Sequence, residues 1–389
     1  MTIHRRQVLR SGLALGCSLA ATPLMTPVTF AATPGDARLV VIVLRGGMDG
    51  LDAIRPLGDP GLKALRPDLA QEGLALDGMF ALHPALAPLL PLWQAGGFAA
   101  AHAVSTPYRD RRSHFDGQDV LENGGNDAEG QLTAAGDGWL NRAVAQMQGA
   151  RAETAFAVGY TTLMLLRGQQ EISTWAPDAA LDLTPQADLL LQRIYAQDPL
   201  FAQAHAEAEA LAALEGDGPI SANKARRAEA LARFTAQRLR EDTRIAAFSL
   251  GGWDTHARQD RTLPRALSEL VTAITVLRDT LGPDWSRTVV MAVTEFGRTA
   301  RLNGSGGTDH GTGGAALFAG GALAGGRVLS DWPGLREGAL FQDRDLMPTR
   351  DLRAMAAWVL RDHMNLPRSA LETLVFPGLD MGAAPRLIA

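Results

Sequence analysis

The sequence predicts an α/β protein with a mainly parallel central sheet flanked by helices. Short apolar runs bounded by glycine, proline and charge alternate along the chain with stretches of helical periodicity, as in successive strand and helix units. The composition of the 389 residues, 46% hydrophobic and 20% charged, is that of a globular chain and excludes a disordered or fibrous protein.

Five apolar runs without polar alternation predict strands that are buried on both faces. They cover residues 39–44, 98–104, 155–160, 245–250 and 288–294. The apolar spacing of the segments between them predicts helices over residues 85–94, 139–148, 263–281 and 352–363.

Two segments depart from this alternation. Residues 179–241 are rich in Ala, Leu, Gln, Arg and Glu and have no strand pattern, so they predict a helical insertion. Ten of the 23 residues from 304 to 326 are glycine, and such a backbone must turn sharply or approach another group closely. We interpret residues 32–389 as a single domain that carries the insertion.

Residues 1–31 predict a removable export signal. Arg5 and Arg6 precede an apolar stretch over residues 13–21, and residues 29–31 end in small side chains that suit cleavage after Ala31. The paired arginines resemble a twin-arginine signal. The apolar stretch is too short to span a bilayer. We therefore predict a periplasmic or secreted protein with the twin-arginine export machinery as a partner and no stable membrane anchor.

The single cysteine, Cys17, lies inside this leader. The mature chain therefore has no cysteine and forms no disulfide in the oxidising compartment that it enters. A lipoprotein attached at Cys17 is an alternative interpretation, since Gly16 precedes it.

Charge and missing motifs exclude several classes of function. With 37 basic and 42 acidic residues, the chain lacks the basic excess of a nucleic-acid binder. It has no Gly-x-Gly-x-x-Gly after a strand, no Walker loop, no His-Glu-x-x-His and no Gly-x-Ser-x-Gly. These absences argue against nucleotide cofactors and the common serine hydrolases, and favour a small molecule or another protein as partner.

Carboxylates and imidazoles follow the predicted strands, where open α/β sheets bind ligands. Carboxylate oxygens and neutral imidazole nitrogens are ligands for Zn²⁺ and Mn²⁺, so the set predicts a divalent metal site. The candidate metal ligands are Asp49, Asp254, His256, Glu295, Asp309 and His310.

Each of these residues also has a structural interpretation. Asp49 between glycines suits an Asx turn, and Asp254 suits a cap of the next helix. Glu295 can pair with Arg298, and His310 can be an ordinary loop residue. Their shared position at strand ends favours the metal site.

Ser113 is the candidate nucleophile, because it precedes a helical stretch whose amino end favours an anion or a developing alkoxide. The alternative is a capping serine with Asp116 at the third helical position. Arg112 belongs to a basic cluster that can clamp a phosphate or sulfate. His102 and His114 are candidate ligands or acid/base groups, whereas we interpret three further histidines, His83, His205 and His363, as structural.

Five motifs resemble an exported bacterial family, domain of unknown function 1501, in the alkaline phosphatase-like and sulfatase-like superfamily. They are LVVIVLRGGMDGL at 39–51, RSHFD at 112–116, GWDTH at 252–256, TEFGR at 294–298 and TDHG at 308–311. This resemblance implies an alkaline phosphatase-like fold in which divalent metals surround a hydroxyl nucleophile.

The resemblance also implies residue roles. It matches Ser113 to the nucleophile and matches the metal ligands to Asp49, Asp254, His256, Glu295 and His310. Two departures concern the second metal. One residue alone separates Asp254 from His256, and Phe296 stands where the superfamily usually has a metal-binding histidine. Two alternatives therefore stay open: a site for one metal ion, or a site for two ions in which Asp309 completes the second.

The leading functional hypothesis is an exported metal-dependent hydrolase of phosphate or sulfate esters. Ser113 attacks the ester, Arg112 and the metal stabilise the charged oxygens, and His114 is available as an acid or base. The substrate is then a small-molecule or polymer ester. The first alternative is a non-catalytic exported binding protein that keeps the fold and at most one metal. The second is a metal-dependent phosphomutase or transferase.

Overall fold

A nine-stranded sheet is the centre of the computed structural model. The structure describes residues 35–69, 72–109, 112–125, 136–159, 163–176 and 224–389. The predicted leader, His205 and most of the predicted insertion 179–241 lie outside these ranges.

The strands are short and mostly buried. Their bounds are β1 Arg38–Leu44, β2 Ile54–Arg55, β3 Leu74–Ala75, β4 Ala81–Leu82, β5 Phe98–Ser105, β6 Ala155–Val158, β7 Ser173–Trp175, β8 Ile245–Leu250, β9 Thr288–Val293, β10 Gly314–Ala319, β11 Arg327–Leu329 and β12 Arg350–Asp351. The order in the large sheet is β11-β5-β10-β9-β1-β8-β6-β7, with β12 paired to β5, while β2, β4 and β3 form a small separate sheet.

All pairs in the large sheet are parallel except the two made by β10, which runs antiparallel between β5 and β9. The predicted mainly parallel sheet flanked by helices is therefore confirmed. The five predicted strands are present as β1, β5, β6, β8 and β9. Strand β10 was not predicted, because its six residues lie inside the glycine-rich segment, for which we predicted sharp turns or close backbone approaches.

Helices cover both faces of the sheet. The α-helices are α1 Gly50–Ala53, α2 Pro60–Leu65, α3 Leu90–Gln94, α4 His114–Asn123, α5 Trp139–Ala145, α6 Lys224–Leu239, α7 Gln259–Leu281, α8 Leu352–Asp362 and α9 Arg368–Ala370. Further turns of 3₁₀ helix are Pro84–Leu89, Ala152–Thr154, Met164–Leu166 and Gly282–Arg287, and Leu371–Val375 forms a π turn. None of the helices in the described ranges has both the length and the apolar surface of a membrane span.

The core has two layers because side chains alternate along each strand. On β1, Val40, Ile42 and Leu44 join the apolar layer of α6 and α7. The intervening residues, Leu39 among them, join the layer of α5 and α8. Helices on both faces explain why the strands are continuous apolar runs instead of alternating ones.

Four strands bring their following loops to one edge of this sheet. Strands β5, β9, β1 and β8 point the same way, so their carboxyl ends meet there, and the antiparallel β10 begins at the same edge. Loops that are distant in sequence thus become neighbours, which is the arrangement that open α/β sheets use for ligands.

His102 lies inside β5 as a fully buried neutral ring. Its Nε2–H donates to the carbonyl oxygens of Gly50 and Ile54 at 3.1 and 3.0 Å, and its Nδ1 accepts from the Ala103 amide at 2.8 Å. Both ring nitrogens are therefore used by the backbone, and His102 is not in the predicted metal group. Burial lowers its pKa to about 4, because no acceptor is available for a second ring proton.

We expect the charge state of His102 to control part of the acid sensitivity of the fold. The ring stays neutral in the folded chain down to about pH 4 but gains a proton near pH 6.5 in the unfolded chain. Stability that is complete above pH 6.5 is therefore lost as the pH falls, by up to about 3 kcal/mol near pH 4. Urea unfolding at several pH values should show a smaller loss for His102→Gln than for the wild type. Equal losses would contradict this assignment.

Candidate metal centre

Four side chains converge at the carboxyl edge of the sheet. One nitrogen each of His114 and His310 and a carboxylate oxygen of Asp254 lie within 4.8 Å of one another. His256 joins them, with its Nε2 at 2.9 Å from His310 Nε2 and 3.0 Å from Asp254 Oδ1. The four residues, which we call the His/Asp cluster, come from α4, the loop after β8 and the loop before β10.

The backbone of the loop after β1 makes this convergence possible. Gly46 and Gly47 have φ angles of +127° and +75°, a region that favours glycine. A Cβ on Gly46 would lie 2.4 Å from the backbone nitrogen of Asp254, and one on Gly47 would lie 2.8 Å from the Phe296 ring. The Gly-Gly pair therefore lets the loops after β8 and β9 pack directly against the loop after β1.

Each histidine of the cluster is oriented through its Nδ1 atom. The acceptors are a Glu295 carboxylate oxygen at 2.8 Å from His114, the Arg112 carbonyl oxygen at 2.6 Å from His310, and an Asp309 carboxylate oxygen at 3.2 Å from His256. Since these oxygens accept only, we assign the ring protons of His114 and His310 to Nδ1, which leaves their Nε2 lone pairs facing the centre. His256 has a carboxylate oxygen beside each ring nitrogen, from Asp309 at Nδ1 and from Asp254 at Nε2. Such carboxylate and carbonyl partners are typical of metal-binding histidines.

The Nε2 atoms face one another and the Asp254 carboxylate. His114 Nε2 is buried with no hydrogen bond in the described part of the chain, although an Asp254 oxygen lies 3.3 Å away. His256 Nε2 lies 2.9 Å from the His310 Nε2 lone pair and 3.0 Å from Asp254 Oδ1, so either a proton or a metal ion fits between these acceptors. Burial lowers the pKa of His310, which disfavours the proton at that ring.

Arg298 fixes the carboxylate of the cluster. Its Nη2 donates to Asp254 Oδ1 at 2.6 Å, and its other hydrogen bonds go to the backbone oxygens of Gly47, Trp253 and Thr308. Burial raises the pKa of Asp254, but the bond and charge of Arg298 outweigh it and the net pKa is lowered. The carboxylate is therefore ionised and available as an anionic ligand.

Glu295 supports the cluster from behind. Its fully buried carboxylate accepts from the Gly46 amide, from Gln118 and from the Thr294 hydroxyl as well as from His114. Burial raises its pKa, but the hydrogen bond from His114 and the others outweigh it, so the net pKa is lowered. The same bond to Glu295 raises the pKa of His114 despite burial.

The cluster fits one divalent cation. His114, Asp254 and His310 offer two imidazoles and one carboxylate, which are donor types that zinc takes and are richer in nitrogen than Mn²⁺ prefers. His114, Asp254 and His310 form the one group of three or more ligand-bearing side chains found in the described ranges. Phe296 is buried, with its ring 5.1 Å from that of His114 and 4.9 Å from that of His310.

The residues at this edge of the sheet lie within a region of the chain that matches the profile of a known protein family. The profile of the Protein of unknown function (DUF1501) family matches residues 36–374, most of the chain. This chain is a member of the DUF1501 family. No curated protein sequence matches it.

Several of the candidate residues named from the sequence of this DUF1501 protein lie close together at the carboxyl edge of the sheet. Asp254, His256 and His310 meet in the cluster, together with His114, which the sequence offered as a candidate ligand or acid/base group. Glu295 and Asp309 lie one hydrogen bond behind the rings.

Asp49 lies outside the cluster. Its carboxylate accepts from Arg66 at 2.7 Å and Gln259 at 2.6 Å, and it caps α1 through the Leu51 amide. Burial is the largest single effect on the pKa of Asp49 and raises it. Arg66, Gln259 and Arg298 together outweigh burial, so the net pKa is below its usual value. The bond from the Leu51 amide is that of the Asx turn suggested by the sequence, and it also makes Asp49 the N-cap of α1.

Two other structural interpretations are wrong. Asp254 does not cap α7, whose first turn follows Arg258 without a side-chain cap. Glu295 pairs with His114, while Arg298 pairs with Asp254. The hydrogen bond between Arg298 and Asp254 joins residues 44 positions apart, so no local sequence pattern predicts it.

The predicted nucleophile lies at the start of α4. Ser113 is the N-cap, and its Oγ accepts from the Asp116 amide at 3.4 Å, as the capping interpretation predicts. Arg112 contributes its carbonyl to His310, while its exposed guanidinium reaches Gln342 at 3.5 Å.

We expect Asp309 to tune metal affinity through His256. Asp309→Ala removes the acceptor of His256 Nδ1 and should weaken zinc binding about 10- to 100-fold. Competition with a chromophoric chelator measures the affinity. Asp279→Ala, at an exposed position on α7, is the matched control and should bind zinc like the wild type. Equal affinities in the wild type and Asp309→Ala, or a wild type that binds no zinc, would refute the assignment.

Proposed function

We propose that this DUF1501 protein is a metal-dependent hydrolase of phosphate or sulfate esters. The observation that carries the proposal is the His/Asp cluster, in which three Nε2 atoms and an ionised carboxylate meet at the ligand-binding edge of an α/β sheet. His114, Asp254, His256 and His310 would hold one Zn²⁺ or Mn²⁺ ion. When bound, a divalent ion stabilises negative charge on ester oxygens as a Lewis acid.

Ser113 is the proposed nucleophile because it directly precedes the ligand His114 at the amino end of a ten-residue helix. Its capping bond of 3.4 Å is longer than a usual hydrogen bond, so the hydroxyl is weakly held. The Tyr108 hydroxyl accepts the Ser113 amide hydrogen at 2.7 Å and fixes the backbone there. The partial positive charge of the helix end favours the developing alkoxide.

The proposed reaction has two balanced steps. Ser113 Oγ attacks phosphorus or sulfur in line, the bond to the alcohol breaks, and the serine proton ends on the departing alcohol. Water then cleaves the serine ester, releases phosphate or sulfate and restores the hydroxyl proton. The exposed Arg112 guanidinium supplies positive charge for the equatorial oxygens of the substrate.

A non-catalytic binding protein with one metal is the second candidate. Phe296 favours it, because the ring packs against His114 and His310 where the resemblance places a ligand of a second metal. In that case the Ser113 hydroxyl serves α4 as a cap and nothing more.

Two substitutions of Ser113 separate these candidates. Ser113→Ala removes both the hydroxyl and the cap, whereas Ser113→Asn keeps a good cap without a nucleophilic hydroxyl. We expect both variants of the zinc-loaded enzyme to lose at least about 10³-fold in turnover of aryl phosphate or aryl sulfate. Wild-type activity in Ser113→Asn would eliminate the serine mechanism, and a zinc-loaded wild type that turns over neither substrate would favour the binding protein.

We also propose export of the folded protein by the twin-arginine route to the periplasm or the medium. The support is the leader, with Arg5 and Arg6 before a short apolar stretch, and a mature chain without cysteine, whose core needs no oxidation.

We expect the double substitution of Arg5→Lys and Arg6→Lys to hold the precursor in the cytoplasm. Cell fractionation and immunoblotting in a bacterial host measure this. Arg10→Lys is the matched control and should leave export intact. If the double variant reaches the periplasm at the wild-type level, the twin-arginine route is wrong.

A further inference from the structure

A cleft of about 730 Å³ opens beside α7, apart from the His/Asp cluster. Asp52, Arg55 and His83 line it, as do Gln259 and Asp260 at the start of α7, with Leu302 on the loop after β9. We call it the α7 cleft. Its volume is in the range of sites for small organic ligands.

The polar floor of the α7 cleft is paired internally. Asp52 Oδ1 accepts from Arg55 at 2.8 and 3.2 Å, and Asp52 Oδ2 accepts from Gln259 at 3.0 Å. The Gln259 carbonyl in turn accepts from the hydroxyls of Thr255 and Thr308. These groups therefore form a rigid floor whose charges are already compensated.

His83 is the exception. It is 7% exposed, and its Nδ1 accepts from the Ala85 amide at 2.9 Å, which assigns the ring proton to Nε2. The nearest carboxylate oxygen, Asp52 Oδ1, is 3.9 Å from Nε2, beyond hydrogen-bond distance. Within the described residues this Nε2–H has no acceptor, and it belongs to a ring that lines the cleft. The cleft therefore presents a donor whose hydrogen bond a ligand oxygen can accept.

The lining is otherwise acidic and apolar. Asp68, Glu72 and Asp260 are exposed at its rim, whereas Arg55 is the one arginine or lysine in the lining and its charge is paired with Asp52. Burial lowers the pKa of His83, so the ring adds no positive charge at neutral pH. The walls are apolar, made of Pro67, Leu69, Pro84, Ala85, Pro264 and Leu302.

We propose that the α7 cleft binds a small organic cation. Its ammonium or guanidinium group lies against the acidic rim, its apolar body lies against the proline and leucine walls, and a carbonyl or hydroxyl oxygen accepts the His83 Nε2–H. Such a ligand matches three features of the cleft: the negative charge of its rim, its apolar walls and the His83 Nε2–H donor. Arg261, outside the lining at 3.8 Å from Asp260, offsets part of the negative charge of Asp260, so Asp68 and Glu72 carry more of the attraction for a cation.

The binding test is independent of hydrolase activity, since it needs neither metal nor turnover. The probe is N-benzoyl-L-arginine amide, which carries a guanidinium group, an aromatic ring and carbonyl oxygens. Titration calorimetry on the mature protein measures its Kd. N-benzoyl-L-glutamate, of similar body and opposite charge, should not bind.

Three variants assign the contacts. Asp68→Asn combined with Glu72→Gln removes rim charge and should raise the Kd at least about tenfold. His83→Asn keeps an N-cap acceptor but removes the Nε2–H donor, and should raise the Kd about fivefold. Asp279→Asn lies 19 positions beyond Asp260 on the same helix, about 28 Å away, and should bind like the wild type.

Several outcomes would contradict cation binding in the α7 cleft. The proposal is overturned if the arginine probe does not bind at millimolar concentration, if the glutamate probe binds equally, or if the rim variant leaves the Kd unchanged. Competition by Ca²⁺ with full loss of probe binding would make the cleft a metal site instead. If a variant does not fold, titration of the wild type at several salt concentrations still tests the proposal. A Kd for the arginine probe that does not rise with salt contradicts attraction by a charged rim.

Discussion

The buried guanidinium of Arg298 holds the carboxyl edge of the sheet together. It donates to the backbone oxygens of Gly47, Trp253 and Thr308 and to the carboxylate of Asp254. These acceptors lie on the loops after β1 and β8 and before β10, so one side chain joins three loops. A buried cation is tolerated only with such a full set of partners, because its loss of hydration is costly. The position of the Asp254 carboxylate therefore depends on it.

Buried charges form the rigid back of the site, and the ligand atoms form its open front. Glu295 is paired with His114, and Asp49 is paired with Arg66, both below the solvent surface. Breaking either pair would leave an uncompensated buried charge, so these carboxylates orient neighbours instead of facing a ligand. His256, by contrast, is well exposed and turns its Nε2 to the centre. This division of roles supports the single metal of the proposed hydrolase.

Much of the fold was predictable because its strands are buried on both faces. Short continuous apolar runs between helical segments, such as residues 39–44 and 245–250, are typical of buried parallel strands. These two runs form the centre of the sheet. Two failures have clear causes. β10 is an apolar run enclosed by glycines, inside a segment whose glycine content indicates turns. The segment 85–94 contains Pro88 and Pro91, which limit it to a 3₁₀ turn followed by a short α3.

The sequence by itself determined the strands and placed Asp254, His256 and His310 after them, since strand ends in one parallel sheet share an edge. Tertiary structure alone decided which carboxylates face the centre. Asp49 follows a central strand like Asp254, yet it is drawn away by Arg66 and caps α1. Side-chain partners that lie tens or hundreds of residues away leave no local pattern, because they are set by how the loops pack and by the need of each buried charge for a counter-charge.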